Sequence, residues 1–320
     1  FGKKMTIVMD LSTEKVNYGF NLNQTFAEST GAAATVYSNK IDNRSSYTLG
    51  NSMYGNVAGL TTMQSTGVMW EQIPSMFIRG QKTLNGNNGI LIVVDGLERD
   101  NAYNVLRYLT PEEVESVTVL KDAAAVALYG YKGINGVLNI VTKRGKYKSR
   151  EINFSYDHGF TYQNRLPQMA DAYTYANAMN EALANDGKSA RYTHNELNAF
   201  KTGKYSYYYP NIDWWDEVYR ERGKSDIATL TFRGGSSKMR YFTMLNLQNG
   251  RGFINNANQN DGFSTQEKYS KANLRSNLDI DLTSTTKLQV NIMGTLNEFS
   301  RPGLGSDDLI GKLYTTPAAA

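Results

Sequence analysis

The chain has 320 residues, enough for about two average domains, with a formal net charge of +4, no cysteine and two histidines, His158 and His194. The lack of cysteine removes disulfides, thiolate catalysis and thiolate zinc sites, and two histidines give no basis for a histidine metal cluster, so neither a metal nor any other cofactor is expected. Lys and Arg are dispersed rather than blocked, which argues against a nucleic-acid partner, while 22 Tyr and 28 Gly favour strands, turns and wet aromatic surfaces over a helical bundle.

No run of about 18 apolar residues exists to make a transmembrane helix. A transmembrane β-strand needs only ~9–11 residues of alternating character and escapes hydropathy. Phe1 opens without a signal peptide, so the numbering is expected to begin inside a mature or truncated chain.

Residues 1–147 mix short apolar runs with glycine-rich turns: MTIVMD (5–10), SMFIRG (75–80), GILIVVDG (89–96), VESVTVL (114–120) and GVLNIVT (136–142). The continuous runs ILIVV and VLNIV are expected as strands buried on both faces. Asp95, Glu98 and Asp100 admit a calcium reading, but their spacing lacks the EF-hand pattern, and a simple turn after ILIVV is preferred. In LTPEEVES, Thr110 is placed to cap a turn whose first position is Pro111. Together these make a small α/β unit.

The stretch VLKDAAAVALYGYKGINGVLNIVTKRGK (119–146) raises a nucleotide reading through its evenly spaced glycines. A dinucleotide cradle needs those glycines between the first strand and the helix, so that the helix N-terminus meets the phosphate. Gly130, Gly133 and Gly136 instead follow the alanine-rich helix, at its negative end. The phosphate reading fails on geometry, leaving a βαβ-like element: strand, short helix, glycine-terminated end, second strand.

After Lys148 the period becomes 2. The expected strands are 151–163, 226–232, 240–250, 273–282 and 287–297; in NLRSNLDIDL, Leu274, Leu278, Ile280 and Leu282 alternate with Arg275, Asn277, Asp279 and Asp281. Tight turns at 233–238 and 283–286 contrast with long polar connections at 164–225 and 251–268. A water-soluble sandwich explains the alternation. A membrane barrel explains the alternation and also the short-turn, long-loop asymmetry, with the polar faces lining a wet lumen. Five strands cannot close a barrel, and an open edge cannot sit in hydrocarbon, so the membrane reading expects these residues to be the front part of a longer chain. Within 164–225, DAYTYANAMNEALAND has an amphipathic helical pattern and YSYYYPNIDWWDEVYR is densely aromatic. Tyr205, Tyr207, Tyr208, Tyr209, Trp214 and Trp215 beside Asp213, Asp216 and Glu217 read either as a glycan-contacting patch or as packing of the loop onto a rim or partner. A glycosidase carboxylate pair has no mark of a raised-pKa acid.

PSMFIRG, ILIVVDGLERD, the stretch from LTPEEVES through TKRGK, and YYYPNIDWWDEVYR resemble, in this order, the SusC/RagA class of TonB-dependent outer-membrane transporters; STGAAATVYSN (29–39) resembles the start of their plug domain. The resemblance implies a large, plugged outer-membrane β-barrel of about 22 strands with an N-terminal α/β plug. It divides the chain into an extension at 1–28, a plug at 29–147 and the first five barrel strands at 148–320, with a long extracellular loop at 164–225. It implies TonB-driven import of an oligosaccharide or peptide, with no enzymatic step. The implied partners are a SusD-like surface lipoprotein, TonB and outer-membrane lipid. The TonB-gripped segment is placed at Met5, Thr6, Ile7, Val8 and Met9, which reads equally as a first plug strand. The plug motif falls on Arg79, Asp95, Gly96, Lys121, Asp122, Tyr129, Gly130, Asn135 and Gly136. Its charges serve either as a substrate-sensing relay or, preferably, as ties between plug and lumen. Tyr209, Asp213, Trp214 and Trp215 are candidate contacts to substrate or lid. The class's N-terminal carboxypeptidase-regulatory-like domain is not visible, a departure from the pattern. The rivals are a soluble glycan-binding β-protein, a glycoside hydrolase, and a related barrel serving as a docking component of a larger envelope complex.

Overall fold

The computed structural model describes residues 15–20, 22–25, 28–41, 46–64, 73–162, 167–258 and 262–320; the segment Met5–Met9 lies outside them. The chain forms two compact units. The first takes residues 1–157, 227–248 and 271–296, the second 158–226, 249–270 and 297–320.

In the first unit, β1 (Lys15–Asn17) and β2 (Asn23–Thr25) make a small antiparallel hairpin. Next come β3 (Ala33–Tyr37), the single turns α1 (Ser38–Ile41) and α2 (Leu49–Ser52), and the paired β4 (Leu60–Met63) and β5 (Ser75–Ile78). β6 (Leu91–Val94) and β7 (Leu97–Arg99) form a tight hairpin whose turn residues, Asp95 (φ 51°) and Gly96 (φ 83°), both have positive φ, as a two-residue Asp-Gly turn requires. α3 (Ala102–Tyr108), β8 (Val114–Leu120), α4 (Ala123–Val126) and β9 (Val137–Thr142) complete this part. The sheet order is β3-β8-β9-β6-β7.

ILIVV and VLNIV are buried on both faces, as their continuous apolar character predicts. Ile92 and Val94 join one cluster with Leu49, Met53 and Leu106, while Val93 joins a second with Val16, Leu120 and Tyr129. Each such side chain, taken fully out of water, contributes about 1.5–3 kcal/mol. The βαβ-like expectation for 119–146 needs correction. β8 and β9 pair with each other and are antiparallel, and the parallel neighbour of β9 is β6. The helical link turns the chain back beside itself rather than across the sheet.

Five long strands follow: β10 (Arg150–Tyr162), β11 (Arg222–Gly235), β12 (Met239–Arg251), β13 (Lys268–Asp281) and β14 (Lys287–Ser300). They form a meander in sequence order. All five predicted strands are present and several extend further than the pattern foretold; β11 begins at Arg222 and runs to Gly235.

In β12 and β13 the burial of polar and leucine side chains is inverted relative to a water-soluble sheet. In β13, Asn273 and Arg275 are 0% and 4% exposed while Leu274 between them is 45% exposed. In β12, Asn246 and Gln248 are 0% and 3% exposed while Leu245 and Leu247 are 40% and 47% exposed. A soluble sandwich buries the apolar parity; a membrane barrel turns that parity to lipid and the polar one to the lumen. The first unit therefore does not follow the change of period at Lys148, because the polar parity of these strands is buried together with the α/β sheet.

The second unit holds the long connections. α5 (Ala172–Asn185) realises the amphipathic pattern seen in the sequence, capped by Asp171 at the Thr174 amide. α6 (His194–Thr202) starts with a Thr193–Glu196 capping box. α7 (Trp214–Val218) and α8 (Ser306–Thr315) carry aromatic side chains that meet one another, Trp215 lying 5.4 Å from Tyr314 between ring centres.

Candidate functional site: a polar seam between the α/β unit and the long strands

The site is a buried polar seam along β13 in the first unit. Its centre is Glu113, at the end of the short 3-10 turn Pro111–Glu113 that Thr110 precedes, where the sequence placed a capped turn. The Glu113 carboxylate accepts the Thr110 backbone N–H at 2.7 Å and the Thr110 hydroxyl at 3.3 Å. Its other contacts come from β13: Asn273 Nδ2 donates at 3.1 Å, and Arg275 Nε donates to the second oxygen. Glu113 is fully buried and Arg275 nearly so, so each charge depends on its partner.

From this centre the seam runs along alternate residues of β13. Lys271 Nζ donates to the carbonyl of Arg107 at 3.2 Å, at the end of α3. Arg275 also faces Asp95 at 3.9 Å. The Asp95 carboxylate, aimed by its turn, accepts the Thr142 backbone N–H at 2.9 Å and hydroxyl at 2.7 Å. Asn277 Nδ2 reaches the Thr142 hydroxyl at 2.9 Å and the Lys143 carbonyl at 2.8 Å. Asp279, 3% exposed, takes Arg144 at 2.6 Å and Arg240 of β12 at 2.7 Å. The seam is thus built of polar and charged ties rather than interlocked methyl groups.

The other plug-motif residues gather at the opposite end of the β8–β9 pair. Arg79 (φ 61°), Lys121, Asp122, Gly130 and Gly136 line a cavity of about 500 Å³. The Asp122 carboxylate is engaged within this unit: it accepts the Ala125 amide, capping α4, and the Ala32 amide, each at 2.8 Å. These bonds, first that from Ala32, hold its carboxyl below the ordinary value, and nearby Arg79 adds to the effect. Burial, and secondarily Arg79, lowers the Lys121 ammonium. The Tyr129 hydroxyl donates to the Tyr18 carbonyl at 2.6 Å, and burial pushes its pKa up to about 12. Asn135 ties the 87–89 loop through the carbonyls of Asn87 and Gly89. Gly130 has φ 56° and ψ −145°, a conformation closed to side chains. A Cβ on Gly136 would stand 2.6 Å from Ile78 Cδ1.

Asp95, Glu98 and Asp100 do not converge: Asp95 is bound to Thr142, while Glu98 pairs with Lys132 at 2.8 Å. Among the described residues no group of three or more His, Cys, Asp or Glu side chains is arranged to hold a metal. In the second unit, Tyr209 packs edge-on to Phe200 at 5.7 Å, and Asp213 caps α7 through the Trp215 and Asp216 amides. Trp214 Nε1 donates to the Pro317 carbonyl at 3.0 Å, and Trp215, 9% exposed, stacks on Tyr219 at 5.6 Å. These four side chains make packing and capping contacts within the second unit. Sequence reasoning missed Glu113, Arg144, Lys271, Arg275 and Asp279 as a set, although the charged parity of 273–282 was its visible signal.

A family model for the TonB-dependent receptor plug domain matches residues 26–137. Over 215 residues the chain is 30% identical to the TonB-dependent receptor SusC of Bacteroides thetaiotaomicron, a match covering 64% of this chain and 19% of the relative. Residues 26–137 belong to the TonB-dependent receptor plug family, and the chain resembles the SusC/RagA class of TonB-dependent transporters. Another relative, TonB-dependent receptor P3 of Formosa agariphila, is 24% identical over 291 residues, covering 89% of this chain and 26% of its own. The fold is similar to that of the RagAB peptide importer in its open-open state, with a TM-score of 0.74 at 20% identity, covering 89% of this chain and 32% of that one. The chain spans about a quarter of the length of these curated relatives, which are named as receptors. The fold is a plugged outer-membrane β-barrel, represented here by the plug and five wall strands, and the seam lies between plug and wall.

Proposed function

We propose that the whole protein imports a large nutrient, an oligosaccharide or peptide, across the outer membrane under power from TonB, with a SusD-like surface lipoprotein closing over the barrel. The observation that carries this reading is the inverted wall: polar residues of β12 and β13 buried with the plug, leucines of the same strands exposed. A plug tied to its wall by Glu113–Arg275 and Asp279–Arg144 is an element that force can displace and that re-forms its own bonds. In this reading the domains are an extension at 1–28, the plug at 29–147 and the wall from 148. The cavity around Arg79, Lys121 and Asp122 belongs to the moving plug, and the loop at 164–225 meets the lid. Met5–Met9 is the segment offered to TonB for capture by strand addition.

The test is uptake of labelled oligosaccharides and peptides by cells expressing the full-length protein, with and without Met5–Met9. Uptake of one class, lost on deletion while a surface lipoprotein still co-purifies, supports the proposal. Uptake that survives the deletion removes these residues from energy coupling. A complex with no uptake of either class favours a docking role in an envelope assembly.

A further inference from the structure

Two neighbouring wall strands place charge where their pattern calls for apolar side chains. The face in question carries, along β10, Ile152, Phe154 and Tyr156, all exposed, and continues through His158, Phe160 and Tyr162. Along β11 it is Phe232 at one end and Asp226, Lys224 and Arg222 at the other, while Ile227 and Thr229 of the alternate parity are 2% and 3% exposed. Contacts between the two strands agree on this face. His158 Nδ1 lies 2.7 Å from Asp226 Oδ1, and the Arg222 guanidinium lies 5.9 Å from the centre of the Phe160 ring. A Cβ on Gly159 would meet Ser225, on the alternate parity.

His158 and Asp226 are paired with each other at 2.7 Å. Arg222 and Lys224 join no ion pair among the described residues, and Phe160 and Tyr162 beside them are 47% and 58% exposed. Charge facing lipid is costly at the bilayer midplane and tolerated at the interface, where aromatic girdles also lie. The level is therefore that of headgroups. The end is the one where residues 163–221 link β10 to β11, the extracellular end under the rule of short periplasmic turns and long outer loops.

We propose that Arg222 and Lys224 grip the phosphate of an anionic glycolipid headgroup in the outer leaflet. Phe160 and Tyr162 lie against its sugar and upper chains, and Asp226, engaged by His158, is withdrawn as a competitor for the cations. A guanidinium beside an ammonium suits a phosphate, taking one oxygen pair in a fork and another oxygen as a point charge. The inference rests on the outer-membrane reading.

The test uses full-length protein purified from the outer membrane in mild detergent, as wild type, as Arg222→Glu/Lys224→Glu and as the neutral Arg222→Gln/Lys224→Gln. Native mass spectrometry counts retained glycolipid. Delipidated protein is then titrated with phosphorylated glycolipid, with the same lipid stripped of phosphate, and with inorganic phosphate. Wild type is expected to retain the glycolipid, and both variants to lose at least about ten-fold in affinity, with the stripped lipid binding wild type as weakly. Equal retention by the variants, equal binding of the stripped lipid, or inorganic phosphate binding as tightly as the glycolipid overturns the proposal. Heat-modifiable migration of each variant reports an intact barrel. Protein absent from the outer membrane sinks the membrane reading itself, whereas an intact barrel indifferent to the phosphate sinks only this site.

Discussion

Replacing Arg275 by Met keeps the long stem and removes the cation at the centre of the seam. Glu113 is then a fully buried carboxylate with only neutral donors, Thr110 at 2.7 Å and Asn273 at 3.1 Å. Asp95, 3.9 Å from the same guanidinium, loses its charged neighbour too. Removing one partner of a buried ion pair costs about 3–5 kcal/mol, and Lys271, whose charge also acts on Glu113, is a cation left nearby to offset part of it. At about 1.4 kcal/mol per factor of ten, local opening at the seam rises roughly 10²–10⁴-fold. Hydrogen exchange of the full-length protein reads this directly at the amides of 113–120 and 138–142, with the apolar core around Ile92 as internal control. Adding Glu113→Gln to Arg275→Met removes the stranded charge, and most of the protection is expected to return. Exchange at these amides within two-fold of wild type in the single variant, or no recovery in the double, would refute the seam as an electrostatic latch.

Leu245→Arg puts a cation on the exposed parity of β12 and is expected to cost about 2–4 kcal/mol in a bilayer, against about 0.5 kcal/mol at an ordinary water-facing site; urea titration of the protein folded into vesicles distinguishes them. Gly136→Ala forces a side chain toward Ile78 at φ 98°, and is expected to destabilise the plug by about 2–4 kcal/mol, seen as faster exchange in β9. For Asp122, the folded carboxyl lies below its unfolded value of about 4. Its contribution is therefore present above that pH and is lost as pH falls through the lowered folded value. Exchange at Ala32 and Ala125 is expected to accelerate on acidification in wild type and to stay flat, relative to a reference amide, in Asp122→Asn. Tyr129→Phe leaves the Tyr18 carbonyl without its donor and is expected to cost about 1 kcal/mol, read by exchange in the β1–β2 hairpin.

Much of the architecture is written in local pattern. ILIVV and VLNIV announce strands covered on both sides, and the turn residues Asp95 and Gly96 close the hairpin that follows the first of them. Period 2 beyond Lys148 announces the long strands, and Thr110 with Pro111 announces the capped turn. These depend on neighbours a few residues apart, so the chain states them by itself. The sequence also disposed of the phosphate cradle, since the side of the helix on which Gly130 and Gly136 fall is a matter of order along the chain. Which parity of a strand faces inward is different in kind, because alternation reads the same in a sandwich and in a barrel. Turn and loop lengths leaned toward the barrel, but only the tertiary structure assigns the parity directly, burying Asn273 and Arg275 and exposing Leu274. The same holds for the seam. Glu113 and Arg275 are 162 residues apart, and nothing near either one names the other. Their pairing exists because the plug and the wall share one buried polar surface, and a buried charge is stable only where the fold brings its opposite.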